Sequence, residues 1–163
     1  KRFVSGKIWK IAIVFLLIAF QGWEVFGAYP YYLSYFNQLG GGLYGGYKYV
    51  VDSNYDWGQD LKRLVSLVEE KGIKKIAVDY FGGGDPKYYL GEKAEYWWSA
   101  RGNPKDNGIE WLAVSVSTLQ GALAKADPAL KRKPEDEYGW LKALRDPYKP
   151  DYRAGTSIFV YKL

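Results

Sequence analysis

The chain has 163 residues, of which 25% are charged and 18% aromatic, and it contains no cysteine, histidine or methionine. That length accommodates one domain with its own core plus an extra segment, and the missing residue types exclude disulfides, thiolate metal sites and imidazole bases. The formal net charge of +5 is concentrated at the start, where Lys1, Arg2, Lys7 and Lys10 precede the first acid, Glu24; the nearly neutral remainder carries no basic stripe of the kind that binds nucleic acid.

With no methionine in the chain, its N-terminus is expected to be the product of a cut. Behind the basic cluster, Ile8 to Ala28 forms an apolar stretch of 21 residues interrupted by Lys10, Gln21 and Glu24. A span needs about 20 apolar residues. Lys10 can snorkel and Trp9 and Trp23 can occupy the two interfacial belts, so a membrane-spanning helix is expected, with the cations on the cytoplasmic side and the rest of the chain extracytoplasmic. Its apolar residues Ile11, Val14, Phe15, Leu17, Ile18 and Phe20 are the candidates for contact with lipid or for assembly with copies of the same helix.

From Tyr31 to Gln38 a short amphipathic helix is predicted, followed by the glycine-rich joint Gly40 to Gly46, which lacks the strand before it that a phosphate-binding loop requires. Tyr47 to Val51 alternates in the manner of a strand. Asp56 with Gln59 reads as a capping box for a helix whose apolar face is Leu61, Leu64, Val65, Leu67 and Val68 and which stops at Gly72. Ile73 to Tyr80 is predicted as the second strand, so that the three elements make a right-handed parallel βαβ unit. Asp85 and Pro86 start another short helix. Ile109 to Val116 is predicted as a buried strand, Glu135 to Leu144 as a helix and Thr156 to Tyr161 as the last strand. The fold class expected is α/β, with a hydrophobic helix (residues 1–29), a joint (30–46) and a small mixed or parallel sheet with flanking helices (47–163).

The candidate ligand-binding residues follow from that layout. Asp52, Asn54, Asp56 and Asp60 alternate as oxygen ligands do in calcium loops, but Trp57 stands where the loop needs glycine, so no EF-hand forms. Two readings remain for them, an irregular calcium or magnesium site, or the capping and turn formation at which short polar side chains excel. Asp52 and Asp79 fall at the carboxyl ends of the first two predicted strands, where open α/β sheets bind ligands. Gly82-Gly83-Gly84 would let backbone approach a bound group, with Asp85 beside it. Tyr88-Tyr89 and Tyr96-Trp97-Trp98 supply aromatic faces that suit sugars, a bilayer surface or an ordinary core. No nucleophile stands at a recognisable spacing from an activating group, so no catalytic residue is assigned and no resident cofactor is expected.

Four motifs in order, Tyr35-Phe36-Asn37-Gln38-Leu39-Gly40-Gly41, Asp52 to Leu61, Tyr80 to Pro86 and Gly155 to Tyr161, resemble the C-terminal region of polytopic glycosyltransferases that use polyprenyl-phosphate sugars, the relatives of protein O-mannosyltransferases and aminoarabinose transferases. The resemblance implies a last membrane helix and an extracytoplasmic domain, non-catalytic by itself, that aids recognition of acceptor or sugar; the family's catalytic acid belongs to its multi-pass portion. The layout of a hydrophobic helix followed by a compact domain supports a second expectation, a processed pilin-like subunit that assembles into an extracellular filament. The expected partners are therefore a bilayer or further copies of the chain, and carbohydrate, with no nucleic acid.

Overall fold

The computed structural model describes residues 7–50, 55–125 and 133–163. An apolar helix, α1 (Ile8–Ala28), leads into a five-stranded sheet covered by helices on both faces. Only Ala28 of α1 is buried, and the helix is long and apolar enough to cross a membrane.

The sheet contains β1 (Ile76–Asp79), β2 (Ala94–Tyr96), β3 (Trp111–Ser115), β4 (Tyr152–Ala154) and β5 (Ile158–Lys162), in the order β2-β1-β3-β5-β4. β1 is parallel to β2 and β3, whereas β5 runs antiparallel to β3 and β4, so the sheet is mixed. The three inner strands read as unbroken apolar runs because both faces are covered. On β3, Leu112 and Val114 enter one cluster with Leu119, Leu141 and Phe159, while Ala113 between them joins the opposite cluster with Leu64, Val68 and Val160.

Helix α3 (Leu61–Glu70) lies on the second face through Leu61, Leu64 and Val68, a spacing that puts all three on one side. It ends at Gly72, whose φ of 60° lets Ile73 N donate to Val68 O at 2.9 Å and close the last turn. α4 (Pro86–Leu90) starts as its sequence predicts, with proline in its first turn and the Asp85 carboxylate accepting from Lys87 N at 2.8 Å. α5 (Val116–Leu123) and α6 (Gly139–Leu144) cover the first face.

Several expectations are corrected. In place of the amphipathic helix predicted from Tyr31 to Gln38 there is a 3₁₀ turn at Tyr32–Ser34, and short turns continue through the joint after it: 3₁₀ turns at Gln38–Gly40 and Gly46–Lys48 and the single α-turn α2 (Gly42–Gly45). The predicted first strand is absent over 47–50, and with it the βαβ unit that depended on it; Val51 lies outside the described residues. Packing explains the change, since Tyr47 is buried edge-on to the rings of Tyr55 and Phe159. Its chain is brought there by Gly46, where a Cβ would overlap the Phe36 ring. The helix predicted over Glu135 to Leu144 is split into a 3₁₀ turn, Pro134–Glu137, and α6 by Tyr138 at φ 48°. The parallel unit that does form is β1-α4-β2.

Candidate functional site

β1 delivers Asp79 to the carboxyl edge of the sheet, opposite Val114 of β3. β1 is flanked by β2 on one side and β3 on the other, so the loops that follow β1 and β3 diverge there and leave a crevice. The loop after β1 is fixed at two points: Phe81 N donates to Ser115 Oγ at 2.9 Å, and the Tyr80 hydroxyl donates to Gly58 O at 2.7 Å.

Asp79 borders a cavity on each side. One, of about 330 Å³, is lined by Asp79, Trp98, Ser99, Thr118, Asp136 and Tyr138 among others. The other, of about 270 Å³, is lined by Asp79, Tyr80, Gly82, Asp85, Tyr96 and Trp97 among others. The Tyr138 hydroxyl donates to Asp79 Oδ2 at 2.7 Å. Tyr138 itself is immobilised, because its N–H donates to Ser99 Oγ at 2.7 Å and Ser99 Oγ donates to Glu135 O at 2.6 Å. A non-glycine residue at positive φ costs on the order of 1–3 kcal/mol and persists where its surroundings hold it. Here the surroundings aim a phenol at a half-buried carboxyl.

Burial pushes the Asp79 carboxyl up from 3.8 to about 6, with the Tyr138 bond acting in the opposite direction. Burial, and then the negative charge of Asp79, raise the Tyr138 hydroxyl. Near neutral pH Asp79 is thus an acceptor for hydroxyl or amine donors. At the rim, Trp98 is exposed and the Arg101 guanidinium lies 5.1 Å from its ring centroid and 4.1 Å from that of Trp97. The Tyr96 hydroxyl donates to Asp85 Oδ1, which holds the Asp85 carboxyl below its ordinary value.

The raised value of Asp79 has a consequence for stability. Between pH 4 and 6 the folded chain keeps a proton on Asp79 that the unfolded chain has released, so this contribution to stability is full below about pH 4 and is lost as pH rises through 6. Asp79→Asn should abolish that loss while still accepting from Tyr138. At pH 8 it is expected to unfold later than the parent by on the order of 1–3 kcal/mol. Denaturant melts of the full chain at pH 4 and pH 8 measure this, and an equal effect at both pH values would contradict it.

The remaining candidates are placed as follows. Asp52 and Asn54 lie outside the described residues. Asp56 is buried and accepts from Gly58 N at 2.8 Å, so it shapes the turn and is not the helix cap; Gln59 Oε1 accepts from Trp57 N at 2.7 Å, completing that turn. Asp60 holds the N-cap position of α3, one turn later than predicted. Its side chain does no capping. Oδ2 accepts from Thr156 N at 2.7 Å and Ser157 N at 2.8 Å, and Oδ1 pairs with Arg63 at 2.6 Å. Those oxygens are engaged by the protein, and among the described residues no group of three or more acidic side chains converges as a cation site would. Gly83 is exposed in the turn. The close backbone approach belongs instead to Gly82, at φ 142°, where a Cβ would stand 2.7 Å from Gly58 Cα. The glycine turn therefore receives protein backbone. Ile11, Val14, Phe15, Leu17, Ile18 and Phe20 are all exposed on α1.

Sequence reasoning singled out Asp79, Asp85 and Trp98 but missed Tyr138, Ser99 and Thr118. Tyr138 falls inside the helix predicted over Glu135 to Leu144, and nothing local marks its positive φ. No family model, curated protein or solved structure matches the chain.

Proposed function

We propose that this chain is a membrane-anchored extracytoplasmic domain that recognises carbohydrate and performs no catalysis of its own. The Asp79 crevice carries the reading: a half-buried carboxyl held by Tyr138 supplies acceptors for sugar hydroxyls, and Trp98 at the rim offers an apolar face of the kind on which a sugar ring stacks. The exposed apolar surface of α1 supports the anchor. Lys7 and Lys10 at its start then face the cytoplasm. This agrees with the resemblance to the C-terminal region of lipid-linked-sugar glycosyltransferases, in which the domain would aid recognition of sugar or acceptor beside a catalytic centre built elsewhere.

Tryptophan fluorescence of the full chain in lipid nanodiscs, titrated with a panel of hexoses, pentoses and their phosphates, tests the reading. A saturable change is expected for at least one of them, lost in Trp98→Ala and weakened about tenfold in Asp79→Asn, equivalent to about 1.4 kcal/mol. No saturable change with any member of the panel, or a response unaltered in Trp98→Ala, would overturn it.

The second reading, a pilin-like subunit of an extracellular filament, is supported by the same exposed helix: α1 presents Phe15, Leu16, Ile18 and Phe20 at 53–69% exposure, and copies of itself could cover them as well as lipid. Negative-stain microscopy after detergent removal separates the two. Ordered filaments would favour assembly, and particles that need lipid or detergent would favour the anchor.

A further inference from the structure

Between α1 and the sheet lies a segment, 29–50, in which Lys48 is the only charged residue, although a quarter of the whole chain is charged. It is not depleted of charge because it is buried. Tyr29, Tyr32, Leu33, Leu39, Tyr44 and Tyr49 are all more than half exposed, Leu39 at 93%. Large apolar and aromatic side chains left exposed together in one short segment mark a contact with something other than water.

The position of this surface identifies what it meets. The segment does not lead away from α1 but folds back beside its end. A cavity of about 300 Å³ has Trp23, Glu24 and Gly27 of α1 on one wall and Gln38, Leu43 and Tyr44 on the other. The Glu24 carboxyl lies near enough to the Tyr35 hydroxyl to add to the upward push that burial gives it. Gln38 and Tyr44 therefore stand level with the last turns of α1, and Leu39 directly follows Gln38 in the chain. A helix of 21 residues is about 30 Å long, the thickness of the hydrocarbon core, so those turns fall at its boundary with the headgroups. Tyrosine, with an apolar ring and a polar tip, is the side chain favoured there, and Lys48 has the sign that lipid phosphates accept.

We propose that residues 29–50 form a lipid-facing apron that lies in the headgroup layer around α1 and seats the domain on the bilayer. The occupant of this surface is lipid. The apron also carries the domain's orientation, because Ser34 Oγ is 2.6 Å from Thr156 Oγ1 and the Tyr55 hydroxyl donates to Leu43 O at 3.4 Å and Thr156 O at 3.1 Å. The Gly155 to Ser157 turn precedes β5, whose first residue Ile158 pairs with Ser115 at the carboxyl end of β3. The edge of the sheet that holds the Asp79 crevice is thus the edge that rests on the apron, whereas the Gly72 to Lys75 turn before β1 is at the far edge.

The inference rests on α1 spanning a membrane, and the test separates the two. The chain has no cysteine, so single substitutions give unique labelling sites: Phe15→Cys in α1, Leu39→Cys and Tyr44→Cys in the apron, and Lys74→Cys at the far edge. Each full-length variant carries an environment-sensitive fluorophore in vesicles of phosphatidylcholine and phosphatidylglycerol, with nitroxides placed either on the headgroup or deep in the acyl chain. The label at position 15 is expected to respond to the deep nitroxide. Labels at 39 and 44 should be quenched by the headgroup nitroxide at least threefold more than the label at 74, which should respond to aqueous iodide alone. If 39 and 44 behave as 74 does while 15 is still quenched from the bilayer centre, the apron is refuted and the anchor stands. If 15 is not quenched by lipid, the anchor itself fails and the apron with it. Labels at 39 and 44 shielded from both lipid and iodide would mean that protein covers the surface, which also refutes the apron.

Discussion

Asp60→Ala is expected to destabilise the folded domain by about 3–5 kcal/mol, because the buried carboxylate satisfies two backbone N–H groups and a hydroxyl while pairing with the partly exposed Arg63 guanidinium. Asp60 is fully buried. Its carboxylate satisfies two successive backbone N–H groups, of Thr156 and Ser157, together with the Thr156 hydroxyl at 3.2 Å and the Arg63 guanidinium. Deleting it orphans those donors inside a packed turn, where each unsatisfied group costs about 1–3 kcal/mol. The Thr156 hydroxyl is also the contact to Ser34, so loss of Asp60 loosens the seat of the 29–50 segment as well as the hairpin. Denaturant unfolding of the full chain in detergent, followed by near-ultraviolet circular dichroism, reads the effect. A loss below about 1 kcal/mol would mean that water replaces the carboxylate and that Asp60 is not the clamp described above.

Asp60 also shows why only part of this molecule was legible in its sequence. Apart from Arg63 on its own helix, the partners of its carboxylate are 96 and 97 residues away along the chain, and no local pattern announces a contact of that range. What local chemistry can specify was legible. The apolar stretch gives α1, the spacing of Leu61, Leu64 and Val68 gives the buried face of α3, Asp85-Pro86 gives the start of α4, and the three long apolar runs give β1, β3 and β5. What was hidden is short or set by tertiary packing. β2 and β4 have three residues each, too few for a period-two pattern to emerge. Tyr47 has the composition of a strand residue but is drawn into a 3₁₀ turn by the aromatic cluster it fills. At the crevice the same division holds: Asp79 follows from the end of an apolar run, while Tyr138 arrives from 59 residues away through a positive φ that its neighbours impose.

Gly155→Ala is expected to cost about 3 kcal/mol or more, and the cost should depend on Asp60. Two effects add at this position. Gly155 has φ 64°, where a side chain costs about 1–2 kcal/mol by itself. A Cβ there would also overlap the Asp60 carboxylate, and those oxygens cannot retreat without giving up Thr156 and Ser157. The first effect belongs to the backbone and survives any change at position 60. The second exists only while the carboxylate is in place. In an Asp60→Ala background the same glycine substitution should therefore cost only about 1–2 kcal/mol, which leaves a coupling of about 2 kcal/mol in a double-mutant cycle. The sign is diagnostic: two independent lesions would add, whereas here the double variant should be more stable than the sum of its singles predicts. Additivity within about 0.5 kcal/mol would show that the hairpin shifts to accommodate the methyl group. In that case glycine at position 155 is required for its backbone conformation alone, and not by the carboxylate packed beneath it.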